Sequence, residues 1–219
     1  MTLIKRASNL LFIAATAGAV IGLTAAPAMA ATTLKVKVSN GGTYTATTAK
    51  TVLKDGSVSV TCSTVGSTPA SKATGTVATA THTGTSPVTV GTAKTLNFKN
   101  CTGPAGAVTT TIKALPYSIK VDSTTNSKGQ TDGMITGVNV HVSTTGCSFD
   151  VKGSAPGFYT NGTHKLTVTK TLPITPLNTA KLTVSNVSGC SGFVNNGDHP
   201  TFTATYTVSR HFTIKSTKV

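Results

Sequence analysis

The sequence predicts an all-β protein, an antiparallel β-sandwich with Ig-like or jelly-roll-like strand order. Threonine supplies about a fifth of the 219 residues and valine is also abundant. Both have branched β-carbons, which fit a pleated sheet better than a helix. Glutamate is absent, and leucine and methionine are sparse after the first thirty residues, so strong helix formers are scarce. Short segments of alternating apolar and polar residues, separated by turn residues about every 8–12 positions, complete the pattern of a sandwich.

The first thirty residues have the three-part pattern of a secretory signal peptide. Lys5 and Arg6 precede an apolar run over residues 10–23, and the small residues Ala28-Met29-Ala30 follow. The apolar run is shorter than the ~20 residues that span a bilayer, which favours a cleaved leader over an uncleaved anchor. We therefore predict a signal-peptide helix within residues 1–30 and a secreted protein, extracellular or associated with the cell envelope. No later apolar run predicts a transmembrane segment.

Alternation and turn residues define the strands in the first half of the mature chain. Asn40-Gly41-Gly42 tolerates positive φ and predicts a hairpin, and Asp55-Gly56 predicts a second turn. Pro116 separates two strands because it cannot donate to a sheet. The segment 71–87 is rich in threonine, alanine and glycine and predicts a weak edge strand and a loop. The predicted strands cover 34–38, a segment beginning at Tyr44, 57–62, 96–98, 108–115 and 117–121.

A wholly polar segment, DSTTNSKGQTDG at residues 122–133, separates the two halves of the mature chain. We interpret it as an exposed loop within one sandwich domain over residues 31–219. The alternative is a boundary between two subdomains.

The second half repeats the same signals. Asn161-Gly162 and Asn196-Gly197-Asp198 are turn sequences that each precede an alternating segment. The predicted strands cover 138–142, 147–151, 166–168, 182–184, 202–208 and 212–214.

The four cysteines are predicted to form two disulfide bonds, because an exported protein folds in an oxidising compartment. Three pairings of Cys62, Cys101, Cys147 and Cys190 exist, and the sequence does not choose among them. We favour Cys62–Cys101 with Cys147–Cys190, because this pairing places one bond in each half. Each bond would close a loop of about forty residues, worth roughly 3–4 kcal/mol in the chain-entropy model. The absence of a close Cys-x-x-Cys pair argues against a metal or redox site.

The acidic residues do not predict catalysis. Three of the five aspartates adjoin glycine and read as turn residues, one ends a strand, and Asp150 alternates with Phe149 and Val151 and should face away from the core. No pair is marked for glycoside hydrolysis, no Gly-x-Ser-x-Gly motif is present, and a His-Glu-x-x-His motif is impossible without glutamate. We therefore predict a protein that is not an enzyme, with no catalytic, cofactor-binding or metal-binding residues. The other four aspartates are Asp55, Asp122, Asp132 and Asp198.

The chain is strongly basic. Its net charge of +14 becomes +12 without Lys5 and Arg6, and the remaining cations are sixteen lysines and Arg210. This excess favours anionic envelope polymers or glycans as partners. The alternative is a solvated face that also protects exposed sheet edges. A single arginine and no tryptophan argue against nucleic acid, which is bound through arginine forks and stacking aromatics.

Few aromatic residues could form a sugar-binding platform. Tyr44, Tyr117, Phe158 and Tyr159 are the candidates for ligand-facing aromatics, and Phe158-Tyr159 lies just before the Asn161-Gly162 turn. The alternative is that these rings pack inside the sandwich.

Several short motifs lie around the cysteines and turns, namely Phe98-Lys99-Asn100-Cys101-Thr102-Gly103-Pro104, Ala114-Leu115-Pro116-Tyr117, Gly146-Cys147-Ser148-Phe149, Tyr159-Thr160-Asn161, Gly189-Cys190-Ser191-Gly192, Gly197-Asp198 and Phe202-Thr203-Ala204-Thr205-Tyr206. Together they resemble a group of secreted, β-rich actinobacterial proteins that carry four cysteines and have no assigned function. A tryptophan often follows Leu-Pro in that group, whereas Tyr117 stands at that position here. The resemblance implies export and a disulfide-bonded β fold and brings no catalytic residues.

Together these features predict an exported, non-enzymatic β-sandwich of the cell envelope or its surroundings, with a structural or adhesive role. The alternative is a binding module for carbohydrate or a cell-wall polymer.

Overall fold

A computed structural model describes residues 32–174 and 180–219, so the predicted leader at residues 1–30 lies outside the described part of the chain. The all-β prediction is confirmed, because the described residues form strands that pair only in the antiparallel sense, plus one short 3-10 turn at Cys190–Gly192. The strands are β1 Thr33–Ser39, β2 Gly42–Thr48, β3 Lys50–Asp55, β4 Val58–Ser63, β5 Ser71–Val77, β6 Ala80–Thr85, β7 Val88–Phe98, β8 Cys101–Gly103, β9 Gly106–Ile112, β10 Tyr117–Val121, β11 Gln130–Thr144, β12 Cys147–Thr160, β13 Lys165–Val168, β14 Leu182–Gly189, β15 Thr201–Val208 and β16 Thr213–Lys218.

The larger sheet folds back on itself. Its strand order is β14-β12-β13-β15-β2-β5-β7-β10-β11-β9-β8-β4-β3. Two further pairings, β11 with β12 and β15 with β3, join strands that are distant in this order. The sheet therefore encloses an interior, and side chains from opposite parts of it share one hydrophobic core.

The smaller sheet has three strands in the order β16-β1-β6. Its inner face carries Leu34, Val36 and Val38, which are at most 2% exposed and belong to the same core. The alternation read from the sequence at residues 34–38 is therefore confirmed.

The predicted turn at Asp55-Gly56 is right, and the hairpin predicted at Asn40-Gly41-Gly42 is wrong. Asp55-Gly56 turns the chain between β3 and β4, which pair as neighbours, and Gly56 has φ 52°. Asn40 and Gly42 also have positive φ. However, the turn they form carries the chain from one sheet to the other, because β1 pairs with β16 and β6 while β2 pairs with β5 and β15.

The segment 71–87 contains an interior strand, which corrects the prediction of a weak edge strand. β5 pairs with β2 on one side and with β7 on the other, and only β6 lies at a sheet edge. Its small residues permit close packing. A Cβ atom at Gly75 would lie 2.0 Å from the backbone oxygen of Thr92 and 2.7 Å from the hydroxyl of Tyr44.

The loop that was predicted over the polar segment 122–133 is shorter in the structure. Residues 122–129 connect the neighbouring strands β10 and β11, and the described residues from 32 onward form one compact unit. Asp132 is not a turn residue, because it lies inside β11 and is fully buried. Its carboxylate accepts a hydrogen bond from the Ile174 backbone N–H at 3.0 Å.

Both favoured disulfide bonds are present. Cys62 and Cys101 lie directly opposite each other on β4 and β8. Cys147 begins β12 and is bonded to Cys190 in the 3-10 turn that follows β14. The four cysteines are therefore all oxidised.

Candidate functional site

The outer face of the smaller sheet is a regular array of lysine and threonine side chains, which we name the lysine–threonine face. Strand alternation produces it, because burial of Leu34, Val36 and Val38 turns the residues between them toward solvent. The antiparallel registers then place exposed residues of β6 and β16 beside those of β1. The face consists of Lys35, Lys37, Thr81, Thr83, Thr85, Thr213, Lys215 and Thr217.

The lysines on this face lie close together without acidic neighbours on the same strands. Lys37 is directly opposite Lys215, and Lys35 is two residues away on the same side of β1. Like charges directly opposite each other destabilise a sheet. None of the five aspartates belongs to β1, β6 or β16, so the strands of this face carry no carboxylate to offset the repulsion.

Such a face can bind extended anions. Lysine presents a compact ammonium charge with three donors, and the surrounding threonine hydroxyls both donate and accept hydrogen bonds. Neighbouring strands are about 4.8 Å apart, so the charges and hydroxyls repeat over short distances across the sheet. A polymer with repeated phosphate, sulfate or carboxylate groups could contact several of them at once.

The predicted ligand-facing aromatics are largely enclosed by the protein. Tyr117 is 1% exposed, and its hydroxyl lies 2.6 Å from the backbone oxygen of Asn139. Tyr159 is 5% exposed and stacks on Phe212 with ring centroids 4.6 Å apart. Burial raises the pKa of Tyr159 to about 12. Phe158 is half-buried.

The most exposed aromatic residue among those described was not among the sequence candidates. Phe193 follows the 3-10 turn and is 70% exposed. Its sequence context, between Gly192 and Val194, gave no alternation from which its orientation could be read.

Asp150 is the centre of a polar cluster rather than a solvated side chain. Its Oδ2 accepts a hydrogen bond from the Asn186 side-chain amide at 2.7 Å, and its Oδ1 lies 2.8 Å from Nδ1 of His141 and 3.2 Å from Nζ of Lys113. Asp150 is 4% exposed. These contacts, with that from Asn186 the strongest, hold the pKa of its carboxyl well below the usual range. The cluster keeps a carboxylate ionised and joins β11, β12 and β14.

Two carboxylates meet where two turns approach each other. Asp55, in the β3–β4 hairpin, lies near Asp198 in the turn that precedes β15. Partial burial and the negative charge of Asp198 raise the pKa of Asp55, and His199 acts in the opposite direction. In the described ranges, no three histidine, cysteine or aspartate side chains are arranged to hold a metal ion.

The larger sheet surrounds an apolar cavity of about 110 Å³ that is partly open to solvent. Side chains from most of its strands form the wall, and the smaller sheet does not contribute. A volume of roughly 10–15 Å³ can hold a water molecule only where the wall also offers two to four polar partners. Here the wall is made almost entirely of carbon, with examples at Leu53, Leu96, Phe98, Ile119, Ile135 and Leu166.

Most polar groups of the cavity wall form hydrogen bonds with other groups of the protein. The hydroxyl of Tyr206 donates to Ser71, and that of Tyr44 donates to the backbone oxygen of Thr92. The hydroxyl oxygen of Thr110 is buried without a hydrogen-bond partner. The sequence predicted the apolar faces of individual strands, such as 138–142. It did not predict that these faces would surround a cavity.

Comparisons with protein-family models, with curated proteins and with solved structures found no match for this chain. In the part of the chain that the structure describes, no helical segment combines the length and the hydrophobicity of a membrane span.

Proposed function

We propose that this protein is an exported, non-enzymatic component of the cell envelope or its surroundings with an adhesive role. It attaches to an anionic envelope polymer or glycan through the lysine–threonine face. The observation that carries this proposal is the placement of Lys35, Lys37 and Lys215 side by side on an outer sheet whose strands bear no carboxylate. A folded protein tolerates such repulsion at a cost in stability, and a polyanion would relieve it.

The covalent structure supports an extracytoplasmic role. Two disulfide bonds join neighbouring parts of the larger sheet, and such bonds persist in oxidising compartments. The predicted signal peptide would deliver the chain to such a compartment. Burial of Tyr117 and Tyr159 favours attachment through charge over sugar stacking on those two rings.

The experiment compares two triple variants with the same change in net charge. The first, Lys35→Gln with Lys37→Gln and Lys215→Gln, neutralises the lysine–threonine face. The control neutralises three exposed lysines elsewhere, Lys54→Gln with Lys128→Gln and Lys181→Gln. Binding to heparin and to purified anionic wall polymer is measured at several salt concentrations, with neutral dextran as the uncharged comparison.

We expect the first triple variant to lose at least about tenfold in affinity, equivalent to ~1.4 kcal/mol, and the control to lose much less. The salt dependence should also become shallower in the first variant. Equal losses in both variants would show that only total charge matters and would contradict the proposed face. Turnover of esters, glycosides or peptides by the purified protein would contradict a non-enzymatic role.

A further inference from the structure

We infer that the cavity inside the larger sheet is a binding site for a small, uncharged, apolar molecule, about the size of a single aromatic ring or a short alkyl chain. This inference is independent of the lysine–threonine face, which lies on the smaller sheet. It assigns a second site to the protein, inside the core rather than on the surface.

The burial of the side chains that line the cavity supports a ligand-binding site. Large apolar residues in a filled core pack against one another and are fully buried. Several of the largest residues in this wall are instead only half-buried, so part of their apolar surface is accessible to a small molecule. Leu96, Phe98 and Phe202 are examples, and all three also contact the hydrophobic core.

The chemical character of the cavity wall favours an apolar ligand. Among the described residues that line the cavity, none carries a charge. A charged ligand would lose its hydration there without gaining a partner, which makes its entry unfavourable. Water is also poorly accommodated, because a buried water needs two to four hydrogen bonds and most wall hydroxyls already have protein partners. An apolar molecule makes no such demand and restores the missing contacts.

The size of the cavity limits the ligand. Engineered apolar cavities of about 150 Å³ stay dry and bind benzene. The 110 Å³ space is of the same order, so it matches a ring or a short chain rather than a large lipid.

The experiment uses fluorobenzene as the probe and ¹⁹F NMR of the purified, oxidised protein as the measurement. 1-Octanol and octanoate are compared as competitors, because they share an alkyl chain and differ in charge. Two variants fill the cavity, Ala93→Leu and Ala155→Leu, and both positions line its wall. The matched control is Ala107→Leu, at an exposed position outside the wall.

We expect fluorobenzene to bind the wild type and the Ala107→Leu control alike, and each filled variant to lose at least about tenfold in affinity. 1-Octanol should displace the probe, and octanoate should be much weaker. Equal binding by filled and control variants would place the probe on the surface and overturn the inference, as would an absence of binding to the wild type.

A second measurement does not depend on the variants folding. Methyl resonances of Ile119, Ile135 and Val138, which line the cavity, should shift when fluorobenzene is added to the wild type. Those of Val65 and Val219, which are 61% and 67% exposed, should not. Shifts confined to the exposed methyl groups would contradict an interior site.

Discussion

Asp150 shows how one carboxylate can join three strands when each of its oxygens has a partner. Asn186 and His141 reach it from β14 and β11, while the side chains of Lys113 and Lys152 are 45% and 46% exposed. Ion pairs so open to solvent contribute little. The hydrogen bonds from Asn186 and His141 therefore provide most of the stabilisation of the ionised form.

We predict that Asp150→Asn lowers the free energy of unfolding at pH 7 by about 1–2 kcal/mol, because it removes a charged hydrogen-bond acceptor. The depressed pKa of Asp150 means that its ionised form stabilises the fold above the ordinary aspartate value of about 4, and that this contribution is lost as the pH falls through the depressed value. Urea unfolding of both proteins at pH 7 and pH 3 measures the difference, which should shrink at pH 3.

Lys152→Gln is the control for this prediction, because Lys152 contacts the same carboxylate only at 3.8 Å and from solvent. It should leave the unfolding free energy nearly unchanged. A difference between wild type and Asp150→Asn that stays constant from pH 7 to pH 3 would contradict the assigned role.

The sequence predicted which face of its strand Asp150 occupies, but not that its side chain is buried. Alternation with Phe149 and Val151 correctly assigned it to the face opposite the apolar one, and exposure was the natural expectation there. Its burial depends on Asn186, which comes 36 positions later and pairs through β14. Asp132 shows the same limit, because Asp-Gly is a turn signal in isolation, while the pairing of β11 with β12 over Gln130–Thr144 overrides it.

The interior strand β5 pairs on both sides, with β2 and with β7. It carries the small residues Ala73 and Gly75 together with Val77. A side chain at Gly75 would meet the backbone oxygen of Thr92. Thr92 lies on β7, which pairs with β5, so this oxygen cannot move without displacing the strand.

We predict that Gly75→Ala lowers the free energy of unfolding by about 1–3 kcal/mol, as overpacking of a tight interior does. Gly84→Ala is the matched control, because a Cβ at Gly84 would meet only the Val88 side chain, at 3.9 Å, an ordinary contact. It should be neutral or slightly stabilising. Thermal and urea unfolding of the two variants provide the test, and equal stability would show that β5 can shift away from β7.

The predicted turns at Asp55-Gly56 and Asn40-Gly41-Gly42 show which strand pairings a sequence reveals. At Asp55-Gly56 the alternating segments on both sides complement each other directly, and they pair. At Asn40-Gly41-Gly42 the turn chemistry is similar, but β1 pairs instead with β16, about 180 positions later in the chain. Turn residues specify the change of direction, whereas the partner depends on which distant strand covers the apolar face.

At the scale of the whole molecule, the closure of the larger sheet creates the cavity. Most strands of the larger sheet contribute to its wall, so its volume depends on the sum of many side-chain sizes around the interior. The sequence identified the inward faces of single strands and the all-β class. It could not indicate which faces lie across from one another, and the cavity is a property of that arrangement alone.

The disulfide bonds act on the same closed structure, and their contribution can be predicted from loop length. Cys62–Cys101 and Cys147–Cys190 have sequence separations of 39 and 43 residues, so the chain-entropy model gives each roughly 3–4 kcal/mol. We predict that the double variants Cys62→Ala/Cys101→Ala and Cys147→Ala/Cys190→Ala lose similar amounts of unfolding free energy in urea titrations under oxidising conditions.

Because the two loops are nearly equal in length, any difference between the double variants reports on the native structure rather than on the unfolded chain. β8 has only three residues, and Cys101 on it faces Cys62 directly on β4. The bond therefore also holds the segment β9-β8-β4-β3 that connects β11 to β15, a connection on which closure depends. A larger loss for Cys62→Ala/Cys101→Ala would show that this bond supports closure. Losses below about 1 kcal/mol in both variants would contradict a stabilising role for the disulfides, since each loop should contribute several times that amount.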